Sequence, residues 1–250
     1  MNFMLTIQYD GTDFHGWQMQ GELRTVQGEL SRALTLIDGR EVVVHGSGRS
    51  DAGVHAHGQV ASVRVEREIA PPKLRSAING NVAKDLRIIE VQIAADDFHA
   101  RYSALEKTYL YRVVNRPVMS PFWLRYAHHE ARPLDLESMN ASATLFLGTH
   151  DWTAFSAAQS DAESRIRTIS QLEVSESADE RSGEPIVEIR ASADGFLRYM
   201  VRSIVGTLLA VGRGEMDRQQ VEKAIKLGDR SLAGATAPAC GLTLWSVRYE

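Results

Sequence analysis

One stretch of the sequence, Gly46–Gly58, combines residue types that nucleophilic and acid–base chemistry require. It holds four glycines in thirteen residues, an arginine two residues before an aspartate, and a pair of histidines. Glycines at this density predict a backbone that turns sharply or comes close to another group. A loop aspartate most often caps a turn, but Arg49 is close enough to keep Asp51 ionised. An ionised Asp51 could act as a nucleophile, a base or a metal ligand.

The two histidines of this stretch, His55 and His57, allow a second interpretation. Two histidines one residue apart on a strand place both rings on one face, and with Asp51 and His45 they could form a metal-ligand set. The sequence lacks a His-Glu-x-x-His motif and a second acidic cluster nearby. A metal-dependent hydrolase using Asp51, His55 and His57 is therefore a weak alternative.

Two residues much later in the chain could also contribute to a site. Tyr109 lies in a predicted strand after two basic residues, where its ring could pack in the core or stack on a nucleobase. Arg202 lies among apolar residues in a predicted helix, on one face with Arg198. A partly buried arginine requires an anion, and Asp51 is the acid that we expect to supply it.

The elements that would position these residues follow from hydrophobic periodicity and turn signals. Strands are predicted over 2–9, 42–44, 61–65, 86–93, 109–114, 166–174, 186–193 and 242–249, and helices over 26–37, 71–78, 136–147, 197–211 and 217–228. This alternation, with hairpins mixed in, predicts an α+β protein of two split βαβ sandwiches side by side around a central cleft, not one doubly wound sheet. Phe98–Arg101 is the predicted hinge. It separates an N-terminal domain, 1–103, which carries the Asp51 loop, from a C-terminal domain, 104–250, which carries Tyr109 and Arg202.

Composition is that of a globular protein, and charge is unevenly distributed. The 250 residues are 44% hydrophobic and 24% charged, and the N-terminus has no signal-peptide pattern. No apolar run is long enough to cross a bilayer, and the single cysteine excludes an internal disulfide, so we expect a cytoplasmic protein without membrane contact. The net charge is −4, but six acids lie in a predicted hairpin, 173–188, whereas 98–132 holds six bases against two acids. Charge therefore permits RNA binding without requiring it.

The motifs together resemble those of the tRNA pseudouridine synthase A family. The matching segments occur in the family's order over nearly the whole chain: Tyr9–Thr12, Gly16–Gln18, Gly48–Ala56, Phe98–Arg101, Lys107–Tyr111, Met200–Gly206 and Gly241–Leu244. Gly48–Ala56 is the most specific of them. Ser50 replaces the threonine usual in the family but keeps the hydroxyl. Residues 82–85 lack the usual leucine-proline pair, which affects only a turn.

The resemblance implies isomerisation of uridine to pseudouridine at positions 38, 39 and 40 of the tRNA anticodon stem-loop. It further implies a homodimer, two RNP-like (ferredoxin-like) domains per chain, and no metal, small molecule or other cofactor. By motif match, Asp51 resembles the nucleophile, Tyr109 the tyrosine against the target base, and Arg202 the cation paired with Asp51. Arg49 resembles the arginine that holds the target nucleotide out of its stack. The main alternative is a non-catalytic RNA-binding module, in which Asp51 would have no chemical role.

Overall fold

The computed structural model describes residues 1–158, 163–179 and 185–250, which form a mixed α+β protein, as predicted. They divide into two compact units, residues 1–105 with 243–250, and residues 106–242. The C-terminal residues 243–250 thus group with the first unit. The division into an N-terminal domain, 1–103, and a C-terminal domain, 104–250, stays a prediction. No helix in these three ranges is long and apolar enough to cross a membrane.

The described parts of the two units contain ten strands and five α-helices. The strands are β1 (Asn2–Tyr9), β2 (Val44–Gly46), β3 (His55–Arg64), β4 (Leu86–Ile93), β5 (Glu106–Asn115), β6 (His128–Glu130), β7 (Gly148–Asp151), β8 (Ile166–Ala178), β9 (Pro185–Ala193) and β10 (Leu242–Arg248). The helices are α1 (Val26–Asp38), α2 (Pro71–Asn81), α3 (Leu136–Ala143), α4 (Met200–Gly212) and α5 (Arg218–Leu227).

In the first unit, β1 is the central strand of the order β4-β1-β3-β10. It runs antiparallel to both neighbours, with Leu5 opposite Ala61 of β3 and Val91 of β4. β2 pairs antiparallel with β3, and β10 pairs parallel with β3. The alternation predicted for β1 is confirmed, since Phe3, Leu5 and Ile7 are fully buried. This core fixes the end of β1 next to the start of β3, where the candidate aspartate lies.

Helix α1 ends at Gly39 as predicted, and α2 begins at the predicted Pro71 but runs to Asn81, three residues beyond its predicted end. Thr25 caps α1 by accepting a hydrogen bond from the Gly28 amide, and Gly39 ends the helix with a left-handed φ of 81°. The helix packs against α2 and β2, and α2 packs against β4. The cap at Thr25 fixes the point at which the chain that follows β1 enters α1.

In the second unit, β5, β9, β8 and β7 form consecutive antiparallel pairs, and β6 pairs parallel with β5. α3 packs against β8 and α4. α4 is almost wholly buried, and a Cβ at Gly206 would lie 1.7 Å from the Ala235 carbonyl oxygen. The predicted capping box of α5, between Asp217 and Gln220, is confirmed.

Several predicted boundaries are wrong. α4 begins at Met200, not at residue 197, because Tyr199 adopts a left-handed φ of 64° that a helix cannot contain. Arg198 therefore precedes the helix and does not share a helical face with Arg202. The strand predicted at 42–44 forms two residues later, as β2, and the helix predicted over 136–147 ends in a 3₁₀ turn. Part of the acidic hairpin, residues 180–184, lies outside the described residues.

Candidate functional site

Residues 47–54, here called the aspartate loop, connect β2 to β3 and carry Arg49 and Asp51. The base of the loop is tied to β3. The Ser47 amide donates to the Val60 carbonyl at 2.7 Å, and the Ser47 hydroxyl donates to Gln59 at 2.7 Å. The Gln59 amide group in turn donates to the Gly48 carbonyl at 3.0 Å. These bonds make the loop a rigid extension of the strand that follows it.

The middle of the aspartate loop is held by residues 10–17, here called the clamp segment. The Trp17 amide donates to the Ser50 carbonyl at 3.1 Å, and the Gly53 amide donates to the Phe14 carbonyl at 3.3 Å. Phe14 and Trp17 are each only 2% exposed, so the clamp segment is anchored in the core. The backbone of the aspartate loop is thereby bonded on both sides of Asp51, at Ser50 before it and at Gly53 after it.

Glycines make this contact between two backbone segments possible. Gly16 has a left-handed φ of 88°, and a Cβ there would lie 2.5 Å from the Ser50 carbonyl oxygen. A Cβ at Gly11 would lie 2.0 Å from the Val54 carbonyl oxygen. Real Cβ atoms do not approach a carbonyl so closely, so larger residues would displace the aspartate loop. Close approach of the two backbones therefore explains the glycines at positions 11 and 16.

The Ser50 side chain adds a hydrogen bond between the aspartate loop and the end of β1. Its hydroxyl lies 2.8 Å from the Tyr9 hydroxyl, and both groups are buried. Burial raises the pKa of Tyr9 to about 12, so this phenol stays neutral at physiological pH. Ser50 thus uses its hydroxyl to hold the loop, which explains why serine can replace threonine here.

Asp51 occupies a tight turn at the tip of the aspartate loop. Its carbonyl accepts a hydrogen bond from the Val54 amide at 3.2 Å, and Gly53 completes the turn with a φ of 78°. Asp51 is partly exposed and Arg49 is exposed, whereas Ser50 between them is buried. A carboxylate on a fixed backbone and in partial contact with solvent suits a group that must meet a substrate.

The two histidines after the aspartate do not share one environment. His55 is buried, and its Nδ1 accepts a hydrogen bond from the Gly11 amide at 3.0 Å. His57 is exposed and stacks on Trp245 with ring centroids 4.4 Å apart. The register of β1 against β3 shifts by one residue in this region, which interrupts the alternation of side chains. Across the described ranges, no group of three His, Cys, Asp or Glu side chains could hold a metal ion.

Tyr109 and Arg202 lie in the second unit. Tyr109 is on β5 opposite Ala191, is 7% exposed, and meets Phe196 edge-on at 5.2 Å. Arg202 lies in the first turn of α4 and is half-buried. The Arg202 Nε donates to the Ala237 carbonyl at 2.7 Å, so the base of its guanidinium is fixed. Arg49 and Asp51 belong to the first unit, and the pairing of Arg202 with Asp51 stays a prediction.

The sequence analysis missed Arg24, which supports the clamp segment. Its guanidinium binds Asp85 through two hydrogen bonds of 2.8 Å each and lies 4.1 Å from the centroid of the Phe14 ring. The Arg24 carbonyl also accepts from the His15 amide at 2.9 Å. Arg24 and Asp85 are 61 residues apart, so no local pattern could reveal the pair.

We expect the Arg24–Asp85 pair to give the stability of the protein a pH dependence on the acid side. The hydrogen bonds from Arg24 lower the pKa of Asp85 in the folded protein. The stabilisation that the ionised Asp85 contributes is therefore fully present above its unfolded pKa near 4, and it is lost as pH falls through its folded pKa. Asp85→Asn should lower the free energy of unfolding at pH 7 by about 1 kcal/mol, discounted for partial exposure.

Urea unfolding from pH 7 to pH 2.5 measures this effect. The difference between the wild type and Asp85→Asn should shrink below about pH 4. Asp97→Asn changes an exposed acid of the same unit and should have little effect at any pH. A pH-independent difference for Asp85→Asn would show that the pair does not act through charge.

Comparison with known proteins identifies the family of the chain. The sequence model described as tRNA pseudouridine synthase matches residues 5–103 and 142–250. A relative from Thermoanaerobacter sp. (strain X514) named tRNA pseudouridine synthase A is 40% identical over 248 residues and covers 99% of both chains. A relative of the same name from Azorhizobium caulinodans is 42% identical, and the match covers 99% of this chain and 94% of the relative. Another, from Streptococcus thermophilus, is 40% identical, and the match covers 100% of both proteins.

Solved structures add little to this result. A crystal structure of an unknown protein from Galdieria sulphuraria covers 86% of this chain and 92% of its own at 12% identity, with a TM-score of 0.22 that carries no argument. The family match covers far more than half of the sequence, and the relatives match along their full length. The chain belongs to the tRNA pseudouridine synthase family.

Proposed function

We propose that this protein isomerises uridine to pseudouridine in tRNA, with Asp51 as the nucleophile. Full-length similarity to proteins named tRNA pseudouridine synthase A supports the reaction. The observation that carries the role of Asp51 is the aspartate loop itself, whose backbone is bonded on both sides of a partly exposed carboxylate. By the family resemblance, the substrate uridines are at positions 38, 39 and 40 of the anticodon stem-loop.

The proposed chemistry matches what a lone carboxylate can do. The N1–C1′ bond breaks, the uracil turns, and a C5–C1′ bond forms, while C5 loses a proton to solvent and N1 gains one. The net reaction has no redox change and consumes no water, so we propose that it uses no metal or cofactor. Asp51 could add to C6 of the ring or to C1′ of the sugar, or assist a glycal route, and each route needs an ionised, positioned carboxylate.

A base within a stem must leave its stack before it can react, at a cost of a few kcal/mol. We propose that Arg49 occupies the vacated space and that Tyr109 stacks on the flipped base, which is worth about 1–3 kcal/mol. Arg202 is proposed as the cation that keeps Asp51 ionised. The exposure of Arg49 suits contact with RNA, and the bond from Arg202 to Ala237 suits a guanidinium that must hold one orientation.

The wider assignment follows from the same resemblance. We propose that each unit is an RNP-like sandwich, since each contains a mixed or antiparallel sheet with packed helices. We also propose that the protein works as a homodimer in the cytoplasm, where tRNA is found. The basic segment 98–132 is a reasonable part of the tRNA-binding surface, since it carries six bases against two acids.

The role of Asp51 is tested by tritium release from tRNA labelled at C5 of uridine. Asp51→Ala and the closer isostere Asp51→Asn should lower release by at least about 10⁴-fold, because the attacking group is gone. Both variants should bind unmodified tRNA within a few-fold of the wild type, which serves as the control for folding. Substantial turnover by either variant would reject Asp51 as the nucleophile.

Two alternatives predict different results in the same assay. A non-catalytic RNA-binding module would bind tRNA but release no tritium even as the wild type. A metal-dependent hydrolase using Asp51, His55 and His57 would be silenced by EDTA. We expect the wild type to release tritium in EDTA, provided that tRNA binding is shown to persist there.

Stacking by Tyr109 predicts a contrast between two variants. Tyr109→Phe keeps the ring face and should retain most of the turnover, whereas Tyr109→Ala should lose between about fivefold and a hundredfold. Because Tyr109 is buried against Phe196, truncation also leaves a cavity. Thermal unfolding of both variants should therefore be recorded, and turnover compared where each is folded. Equal losses in the two folded variants would argue against stacking.

A further inference from the structure

Three aromatic rings of the first unit, His45, His99 and Tyr102, lie in successive contact, and we name this group the ring ladder. The ring centroids of His45 and His99 lie 4.8 Å apart, and those of His99 and Tyr102 lie 4.4 Å apart. The interplanar angles are 40° and 36°, so adjacent rings are tilted relative to each other. None of these residues has a role in the chemistry proposed above.

The backbone that carries His99 and Tyr102 is firmly anchored. The Ala100 amide donates to the Ser62 hydroxyl at 3.1 Å, and the Tyr249 hydroxyl donates to the Ala100 carbonyl at 2.8 Å. The Asn2 side chain donates to the Phe98 carbonyl at 3.0 Å. The ring ladder therefore stands on a rigid turn bonded to β1, β3 and the C-terminal residues, and not on a flexible loop.

Hydrogen bonds also fix the orientation of the central ring. The Nδ1 of His99 accepts from the backbone amides of Arg101 at 3.1 Å and Tyr102 at 3.4 Å. A ring nitrogen that faces two N–H donors must be unprotonated. Partial burial, the neighbouring His45 and, less strongly, Arg101 lower the pKa of His99, which agrees with a neutral ring. The centre of the ring ladder is thus a neutral, oriented aromatic surface.

The outer end of the ring ladder faces solvent. Tyr102 is 76% exposed although its neighbours hold its backbone in place. Arg101 is also exposed, with its Cζ 5.6 Å from the centroid of the Tyr102 ring. An exposed, preorganised aromatic ring next to a cation is the arrangement with which proteins stack an unpaired base and bind the adjoining phosphate.

We propose that the ring ladder is a second RNA contact, in which an unpaired base of the tRNA stacks on Tyr102 and Arg101 binds a neighbouring phosphate. This inference rests on the proposed function for the identity of the RNA. It assigns to His99 a positioning role, because its ring contacts that of Tyr102 with centroids 4.4 Å apart. It also explains why an exposed tyrosine and arginine follow a turn that is otherwise built for rigidity.

Binding of an unmodified tRNA transcript, followed by fluorescence anisotropy, tests the proposal. Tyr102→Ala should raise Kd by about tenfold to a hundredfold, and Tyr102→Phe should restore Kd to within about twofold. The matched control is Leu36→Ala, since Leu36 is 63% exposed on α1 of the same unit, lies outside segment 98–132 and should not affect Kd. An unchanged Kd for Tyr102→Ala, or an equal loss in Tyr102→Phe, would overturn the stacking contact.

The salt dependence of binding separates the two parts of the contact. Arg101→Gln should reduce the slope of log Kd against log salt concentration by about one, because one phosphate contact is lost. Tyr102→Ala should leave this slope unchanged while lowering affinity. An Arg101→Gln slope equal to that of the wild type would overturn the phosphate contact.

Crosslinking and sedimentation give direct readouts. Irradiation of a complex with 4-thiouridine-substituted transcript should attach a nucleotide to a peptide that contains Tyr102. If Tyr102→Ala instead changes the sedimentation coefficient of the free protein and not its Kd for tRNA, the surface binds protein and the proposal is wrong. Failure of the proposed function is distinguishable, because it would abolish tritium release by the wild type, whereas these measurements follow binding alone.

Discussion

The backbone of the aspartate loop lies directly against the backbone of the clamp segment, and this contact constrains everything else in the candidate site. Two backbones can approach so closely only where side chains are absent, as at Gly11 and Gly16. The amides of Trp17 and Gly53 then form bonds across the contact, which offset the conformational entropy that glycines lose on folding. The carboxylate that we propose as the nucleophile, held in this way, would need little reorganisation before it reacts.

The rest of the first unit supports this contact from outside. Tyr9 reaches the aspartate loop from the end of β1, and Arg24 lies over Phe14 while it binds Asp85. Tyr9 lies on β1, Arg24 lies between β1 and α1, and Asp85 directly precedes β4. The position of Asp51 therefore depends on several parts of the unit and not on one loop. The loop therefore gains rigidity from tertiary contacts that its own sequence could not provide.

Local patterns in the sequence predicted much of the fold and singled out the segment that carries Asp51, whose role stays a prediction. The alternation of β1, the capping box of α5 and the glycine end of α1 depend on neighbouring residues, and all three predictions are confirmed. The density of glycines also marked the aspartate loop, and the structure shows that Cβ atoms at Gly11 and Gly16 of the clamp segment would meet carbonyl oxygens of that loop.

The features that the sequence did not reveal depend on distant contacts. The Arg24–Asp85 pair joins residues far apart in the chain, and the ring ladder joins His45 to His99 across separate elements. The start of α4 was misplaced because the left-handed Tyr199 opposes the helical preference of its neighbours. The two histidines were expected on one face because strand alternation cannot anticipate a register shift.

The most direct measurement of whether the clamp segment positions Asp51 is a comparison of turnover in Gly16→Ala and Gly39→Ala. Both glycines have similar positive φ, 88° and 81°, but only a Cβ at Gly16 meets the aspartate loop, and one at Gly39 meets nothing within 4 Å. Both variants therefore carry similar backbone strain. Tritium release by folded Gly16→Ala should fall by about a hundredfold, while folded Gly39→Ala stays near the wild type. Equal turnover by the two folded variants would contradict the account.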